Sequence, residues 1–269
     1  MATVQTLKKQ LRGIRSTQKL TKAMKTISTV KFSKLNGLYG KYAPYGAACL
    51  RMHRRFGRGF VGALPAAKKE APRCVVVLAS NKGLCGSFNA EVLSFARKQM
   101  AEGDVVIPCG KKAIRYFRAR PCSIIKEVVP SDVPTYEEAA SLLKELVQLR
   151  KEGKISGITV IYSHYVHMMQ QQPDRYDLFA VSEEEEVPLC CPDRETVEEA
   201  VAMPVFCGMF YRLMLEAALG AQAATLMTMR SANDTATEYV AHLEEQINRK
   251  RQSAVTADVL ETATEWGEE

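Results

Sequence analysis

The stretch CVVVLASNKGLCGSFN, Cys74 to Asn89, decides how the rest of the chain is read. Its first half is a short β-branched run, the pattern of a strand buried on both faces. Its second half places two glycines around Cys85. Beyond it, Phe88, Val92, Phe95 and Ala96 fall on one helical face. Strand, glycine turn and helix in that order begin an α/β unit. They are also the setting of a phosphate loop or a nucleophile elbow, so this turn bears on whether the chain is an enzyme.

Downstream the alternation continues. DVVIPCG (104–110) reads as a strand and KKAIRYFRA (111–119) as a helix. SIIKEVV (123–129) is a strand candidate, and TYEEAASLLKELVQLRKEG (135–153) is a helix starting near Thr135 with Leu142, Leu143, Leu146 and Leu149 inward. GITVIYSHYV (157–166) reads as a strand, and DLFAV (177–181) adds an edge strand. Such alternation predicts a mostly parallel sheet with helices against it. SEEEEVPLCCPDRE then reads as a polar loop, with Glu183 to Glu186 solvated.

The turn lacks what catalysis would require. A phosphate loop gathers several backbone N–H groups at a helix start and ends in Gly-Lys-Ser/Thr; here only Gly83 and Gly86 are available. A nucleophile elbow needs a base, and none of His53, His164, His167 and His242 is tied to Cys85 by a motif. Gly83 and Gly86 are read as allowing a tight turn and close packing, with Cys85 a small buried apolar residue. His164 and His167 lack a third ligand at metal spacing and are read as strand-end residues. No catalytic, cofactor-binding or metal-ligating residue is assigned. The eight cysteines form no C-x-x-C pair, which argues against a zinc site or a disulfide scaffold.

Outward from the α/β segment lie two long helical patterns. Val4, Leu7, Leu11 and Ile14 follow the spacing of a helix packed along its length on another helix. The stripe resumes at Leu20, Met24 and Ile27, and the step from Ile14 to Leu20 predicts a local change of supercoil. No proline precedes Pro44, so one helix can run from Val4 to about Asn36, roughly 50 Å. At the other end Leu215, Leu219, Leu226, Met229, Ala236, Val240, Leu243 and Ile247 repeat, with Gln222 and Asn233 as polar seam positions that fix register. A helix from Pro204 to about Thr262 would span roughly 85 Å, more than a globular domain requires. The two helices are predicted to pair antiparallel.

Charge is distributed as unevenly as structure. Residues 1–69 hold sixteen Lys and Arg and no acid, whereas residues 182–269 hold eighteen acids and six bases. The basic start has the composition of a mitochondrial transit peptide, but it is read as a retained, ordered segment. It also suits a nucleic-acid-binding arm, although a pure phosphate-binding arm needs no apolar seam. No window holds the roughly 18 consecutive apolar residues of a membrane helix.

Three motifs, one per segment, resemble the γ subunit of F-type ATP synthases. They are LRGIRSTQKLTKAMKTIS (11–28), SNKGLCGSFN (80–89) and MRSANDTATEYVAHLEEQINRKRQSAVTADVLE (229–261). The resemblance implies an α/β fold in which a long antiparallel coiled coil of the N- and C-terminal helices carries an inserted Rossmann-like domain. Its divisions are an N-terminal shaft helix over 1–60, a globular domain over 71–190 and a C-terminal shaft helix over 204–269. It implies a central rotor that couples proton-driven rotation of the c-ring to conformational cycling of the catalytic β subunits. The α3β3 hexamer, the δ and ε subunits and the c-ring are the implied partners. No nucleic acid and no cofactor are involved, and ATP chemistry belongs to the other subunits.

Under the same resemblance Lys19, Lys22, Met24 and Lys25 match the stretch that passes an acidic lever loop of β. Arg251, Gln252, Thr256 and Asp258 match the stretch that meets a β catch loop. The implied location is peripheral, on the matrix side of the mitochondrial inner membrane, or alternatively on the cytoplasmic face of a bacterial membrane. TISTVK (26–31) stands where the family has a small apolar run, and TATEWGEE (262–269) where it has a small apolar tip. Cys190 and Cys191 lack the insert of redox-regulated members, so thiol regulation is not carried over. The alternative functions are a basic nucleic-acid-binding protein using residues 1–69 and a thiol enzyme built on Cys85.

Overall fold

Alternation of buried side chains along the central strands sets the architecture. Val75, Val77, Val106 and Ile161 point to one side of a sheet, and Cys74, Val76, Leu78, Ile107 and Val160 to the other; both sets are buried. A strand buried on both faces needs helices on both faces. The computed structural model of the chain describes residues 3–66, 68, 70–180 and 189–265. Its elements are α1 (Val4–Gly62), β1 (Cys74–Leu78), α2 (Phe88–Gln99), β2 (Val105–Cys109), α3 (Lys111–Arg118), β3 (Ser123–Ile124), α4 (Tyr136–Lys151), β4 (Ile158–His167), β5 (Gln170–Asp177) and α5 (Arg194–Glu265).

The sheet order is β3-β2-β1-β4-β5. The first four strands are parallel, and β5 returns antiparallel to β4. Val92, Leu93 and Ala96 of α2 pack with Ala113 and Phe117 of α3 on one face. The other face packs against α4 and against parts of α1 and α5, with Leu35, Phe56, Phe60, Phe206 and Phe210 in its core. This is the expected α/β fold with a mostly parallel sheet between helical layers.

Contacts divide the chain into two compact units. One comprises Met1–Ile27 with Met227–Glu269, the other Ser28–Leu226. In the first, Arg15 pairs with Glu244, and Gln18 donates to Thr237 at 2.8 Å, so numbers rise on one helix as they fall on the other. In the second, Tyr42 donates to the Gly208 carbonyl at 2.8 Å, and a Cβ at Gly208 would lie 2.6 Å from the Cys49 sulfur. Only glycine permits that approach of α5 to α1.

Several boundaries differ from the sequence reading. α1 runs through Gly37, Gly40 and Pro44 to Gly62. α5 begins at Arg194 rather than at Pro204, because the Asp193 carboxylate accepts the Thr196 N–H at 2.8 Å and caps the helix. β3 is two residues long instead of seven, with Val128 making only an isolated bridge to Cys109. The edge strand is the polar QQQPDRYD, not DLFAV; a solvated edge strand needs no apolar run and tolerates Pro173. α4 starts where Thr135 predicts, in a capping box with Glu138. Glu183–Glu186 and Trp266 lie outside the described residues.

The seam of α1 also differs. Leu20 and Ile27 are 60% and 57% exposed, while Leu7, Thr21, Ser28 and Leu35 are buried. Burial therefore keeps a seven-residue period, and the expected break after Ile14 is absent. Thr21 and Ser28 are hydroxylated and so carry no apolar signal of their own. The Thr21 hydroxyl is satisfied by donating to the Gln18 carbonyl at 3.0 Å, which lets a polar residue occupy a seam position.

Candidate functional site

The turn after β1 is held by its own side chains. Asn89 accepts the Ser80 N–H at 3.0 Å, and its amide donates to the Cys85 sulfur at 2.9 Å. Asn81 accepts the Lys111 N–H at 3.2 Å and donates to the Pro130 carbonyl at 2.7 Å. The Lys112 N–H donates to the Ser80 carbonyl at 3.2 Å, and the Phe88 N–H to the Cys85 carbonyl at 3.3 Å. These backbone donors face the chain's own acceptors. Cys85 is buried and packs with Phe88 against Ala221 of α5.

Of the two glycines in the turn, Gly86 takes a positive φ of 57°. A Cβ at Gly83 would make only ordinary contact with Lys112, so the tight-turn requirement read there is not seen. Instead Leu84, a residue with a side chain, adopts φ 64° while half exposed. The thiols of Cys74 and Cys109 are pushed up to about 12 by burial, the opposite of an activated nucleophile.

Two charged arrangements in the second unit escaped the sequence reading. The Asp132 carboxylate, in the β3–α4 connection, is gripped by Lys31 of α1 and by Lys82 of the turn, the latter at 3.1 Å. The hydrogen bond from Lys31, then that from Lys82, holds its carboxyl below the usual range against the opposing effect of burial. The Glu216 side chain, on α5, is 1% exposed; it accepts the Tyr165 N–H at 3.1 Å and lies 2.5 Å from Nδ1 of His164. His164 is thus a partner of a buried acid rather than a free strand-end residue. His167 Nδ1 accepts the Met169 N–H at 3.2 Å in the β4–β5 turn.

In the first unit, Lys19 and Lys22 are exposed on α1, and Met24 and Lys25 are half-buried. Arg251, Gln252 and Thr256 are exposed on α5, and the Thr256 hydroxyl donates to the Gln252 carbonyl at 2.9 Å. Asp258 is also on α5, with its side chain outside the described residues. The two groups do not meet. Glu244 faces Arg15, so Arg251 falls opposite about residue 8, some fourteen residues or roughly 20 Å from the level of Lys22. They form two separate contact levels on one pair of helices.

Comparison with known proteins gives this geometry a family. The chain is 28% identical over 282 residues to an ATP synthase gamma chain of Rubrobacter xylanophilus, covering 98% of this chain and 97% of that one. It is 25% identical over 272 residues to the ATP synthase gamma chain of Desulfitobacterium hafniense, covering 97% of each. A family model described as ATP synthase matches residues 3–264. The chain belongs to the ATP synthase gamma-subunit family.

The same fold is seen in solved structures. The rotor of Euglena gracilis mitochondrial ATP synthase superposes with a TM-score of 0.66 at 14% identity, covering 94% of this chain and 98% of that one. The central stalk of Tetrahymena thermophila mitochondrial ATP synthase gives 0.60 at 17% identity, covering 79% and 99%. Against that frame the exposed apolar residues of this gamma-family chain stand out. Leu20 and Ile27 on α1, and Val255, Val259 and Leu260 on α5, are all more than half exposed. A heptad count that included Thr21 would have found the first two, because it moves Leu20 and Ile27 off the seam.

Proposed function

We propose that this chain is the central rotor shaft of a rotary ATP synthase. It would turn inside an α3β3 hexamer and couple c-ring rotation to the conformational cycle of the β subunits. The observation that carries this reading is the family match over residues 3–264 on a chain whose long α1 and α5 run antiparallel in the first unit, with the α/β elements between them in sequence. The chain itself is non-catalytic in this reading. One stretch of α5 is apolar enough by composition to cross a bilayer, but most of it is buried within the fold, which supports a peripheral subunit. The foot would contact the δ and ε subunits and the c-ring. The bacterial relatives favour the cytoplasmic face of a bacterial membrane over the matrix side of the mitochondrial inner membrane.

Lys19, Lys22, Met24 and Lys25 form the proposed contact level for the acidic lever loop of β, and Arg251, Gln252, Thr256 and Asp258 that for the catch loop. Exposed charges suit a rotating surface, because such pairs are worth roughly 0–1 kcal/mol and release as readily as they form. The test is reassembly with α and β subunits followed by ATP-driven rotation. Wild-type chain should enter an α3β3 complex and rotate; failure to do so overturns the rotor reading. Arg251→Ala should keep the helix yet lower turnover or coupling by up to about fivefold, the rate equivalent of an exposed ion pair of about 1 kcal/mol made at one rotor angle. The exposed Arg230→Ala should do less. Unchanged turnover, coupling and assembly in Arg251→Ala would remove that residue from the contact surface.

A further inference from the structure

We infer that Asp132 is a positioning residue for torque transfer: its carboxylate, shared by Lys31 and Lys82, pins α1 against the sheet's β1 turn. This rests on the rotor reading above. Apolar packing is non-directional, whereas a hydrogen-bonded ion pair has a preferred direction and length. A shaft helix that must not slip in azimuth against its domain gains from the second kind of contact. Here the ion pair sits within the second unit, on the stretch of α1 that also carries Phe32 and Leu35 into the core.

Both sides of the tie are themselves fixed. The Asp132 loop is held at Pro130 by the Asn81 amide at 2.7 Å. At Ser131 it is held by Glu138, which accepts the backbone N–H at 3.2 Å and the hydroxyl at 2.8 Å. Glu138 is the residue that closes the α4 capping box, so the loop is anchored to a helix start as well as to the turn. Lys82 belongs to the turn locked by the Ser80–Asn89 hydrogen bonds and by Asn81 on Lys111. The turn's Cys85 and Phe88 rest on Ala221 of α5. The glycine turn thus serves as a bracket. It touches α5 by packing and reaches α1 through Asp132, and this is what its motif does in place of binding a phosphate.

The geometry also ranks the partners. Lys31 is 29% exposed at its side chain and Lys82 is 67% exposed, so the Lys31 arm is the less screened. Removing the Asp132 charge does more than delete two contacts. It leaves two ammonium groups facing one another without a counter-charge, which pushes α1 away from the turn. The expected order of effect is therefore Asp132→Asn, then Lys31→Met, then Lys82→Met.

The experiment uses the reassembled rotary complex with a probe of variable drag fixed to the shaft. Asp132→Asn should hydrolyse ATP within about twofold of wild type without load. Under high drag it should lose about two- to fivefold in rotation rate, the size expected of an ion pair of this exposure. Its angular fluctuations should broaden in step, and Asp132→Glu should restore both. Asp104→Asn breaks the Arg73–Asp104 pair in the same unit, away from α1, and serves as control. It should lower the melting temperature of the chain without adding drag sensitivity. Equal rotation under load in wild type and Asp132→Asn overturns the inference, as does equal drag sensitivity in Asp104→Asn. If Asp132→Asn fails to assemble, Lys31→Met and Lys82→Met decide: drag sensitivity in that order supports the tie, and its absence overturns it. A wild-type chain that does not assemble or rotate defeats the rotor reading instead.

Discussion

The same two helices are built differently in the two units. In the second unit α1 and α5 bury Leu35, Phe56, Phe60, Phe206, Phe210, Leu215 and Leu219. The rings of Phe56 and Phe60 stack at 5.2 Å, and Phe206 meets His53, Phe60 and Phe179 edge-on. Among the described residues of the first unit the buried positions are Leu7, Thr21, Met229, Ala236 and Leu243, with Gln18 and Asn233 half-buried among them. One region is an aromatic core closed against a sheet. The other is a narrow seam in which Leu7, Met229 and Leu243 are interspersed with small and polar residues, and side-chain hydrogen bonds such as Gln18 to Thr237 cross it.

The comparison is broken most directly by deleting one large side chain from each region. Phe206→Ala should cost about 3–5 kcal/mol, because the ring is fully buried and packs edge-on against His53 and Phe60 of α1 and against Phe179 beyond β5. Leu243→Ala should cost about 2 kcal/mol, the low end for such a change, because a two-helix seam can relax around the lost atoms. Chemical denaturation of the whole chain, followed by hydrogen exchange in residues 229–247 and in the sheet, reads both. If Leu243→Ala proved as costly as Phe206→Ala, the two regions would be equally packed and the contrast would be wrong.

A second test uses a buried polar residue of the aromatic core. His53 is buried, its Nε2 has no hydrogen-bond partner, and burial pushes its pKa down. The native state therefore holds the neutral ring, while the unfolded chain takes up a proton below about pH 6.5. Stability is unaffected above that pH. It falls as pH drops through 6.5 toward the lower native value, by at most about 1.4 kcal/mol per pH unit. His53→Leu should flatten this part of the profile. A wild-type melting temperature that does not fall between pH 7 and pH 5.5, or a decline of the same size in His53→Leu, would show that the ring is not held neutral by the core.

These regions were not equally legible in the sequence. The strands announced themselves because both faces are covered, leaving unbroken runs such as Val75–Leu78. α4 was legible from its cap. β5 was not, because an edge strand with one solvated face reads as QQQPDRYD, with no apolar period to detect. The α1 seam is obscured for a related reason: apolar periodicity points to Leu20 and Ile27, whereas Thr21 and Ser28 are the buried residues. Long-range ion pairs are the hardest to read. Nothing local to Asp132, Lys31 or Lys82 says that three distant segments meet, and the same holds for His164 and Glu216.

The smallest effect expected is at the pair that shows the first unit to be antiparallel. Arg15 and Glu244 are each about half exposed and lie on opposite helices, about one turn along α1 and two along α5 from the Gln18–Thr237 hydrogen bond. In water their attraction is largely screened, and two long side chains lose rotamer freedom to make it. A double-mutant cycle of Arg15→Ala and Glu244→Ala should give a coupling energy between zero and about 1 kcal/mol that shrinks as salt is raised. The Ala substitutions keep helix propensity high, so the cycle isolates the pair. A coupling well above that range and insensitive to salt would mean that the seam excludes water there as the aromatic core does. The first unit would then be as rigidly packed as the second, and register would be held by burial rather than by exchangeable polar contacts.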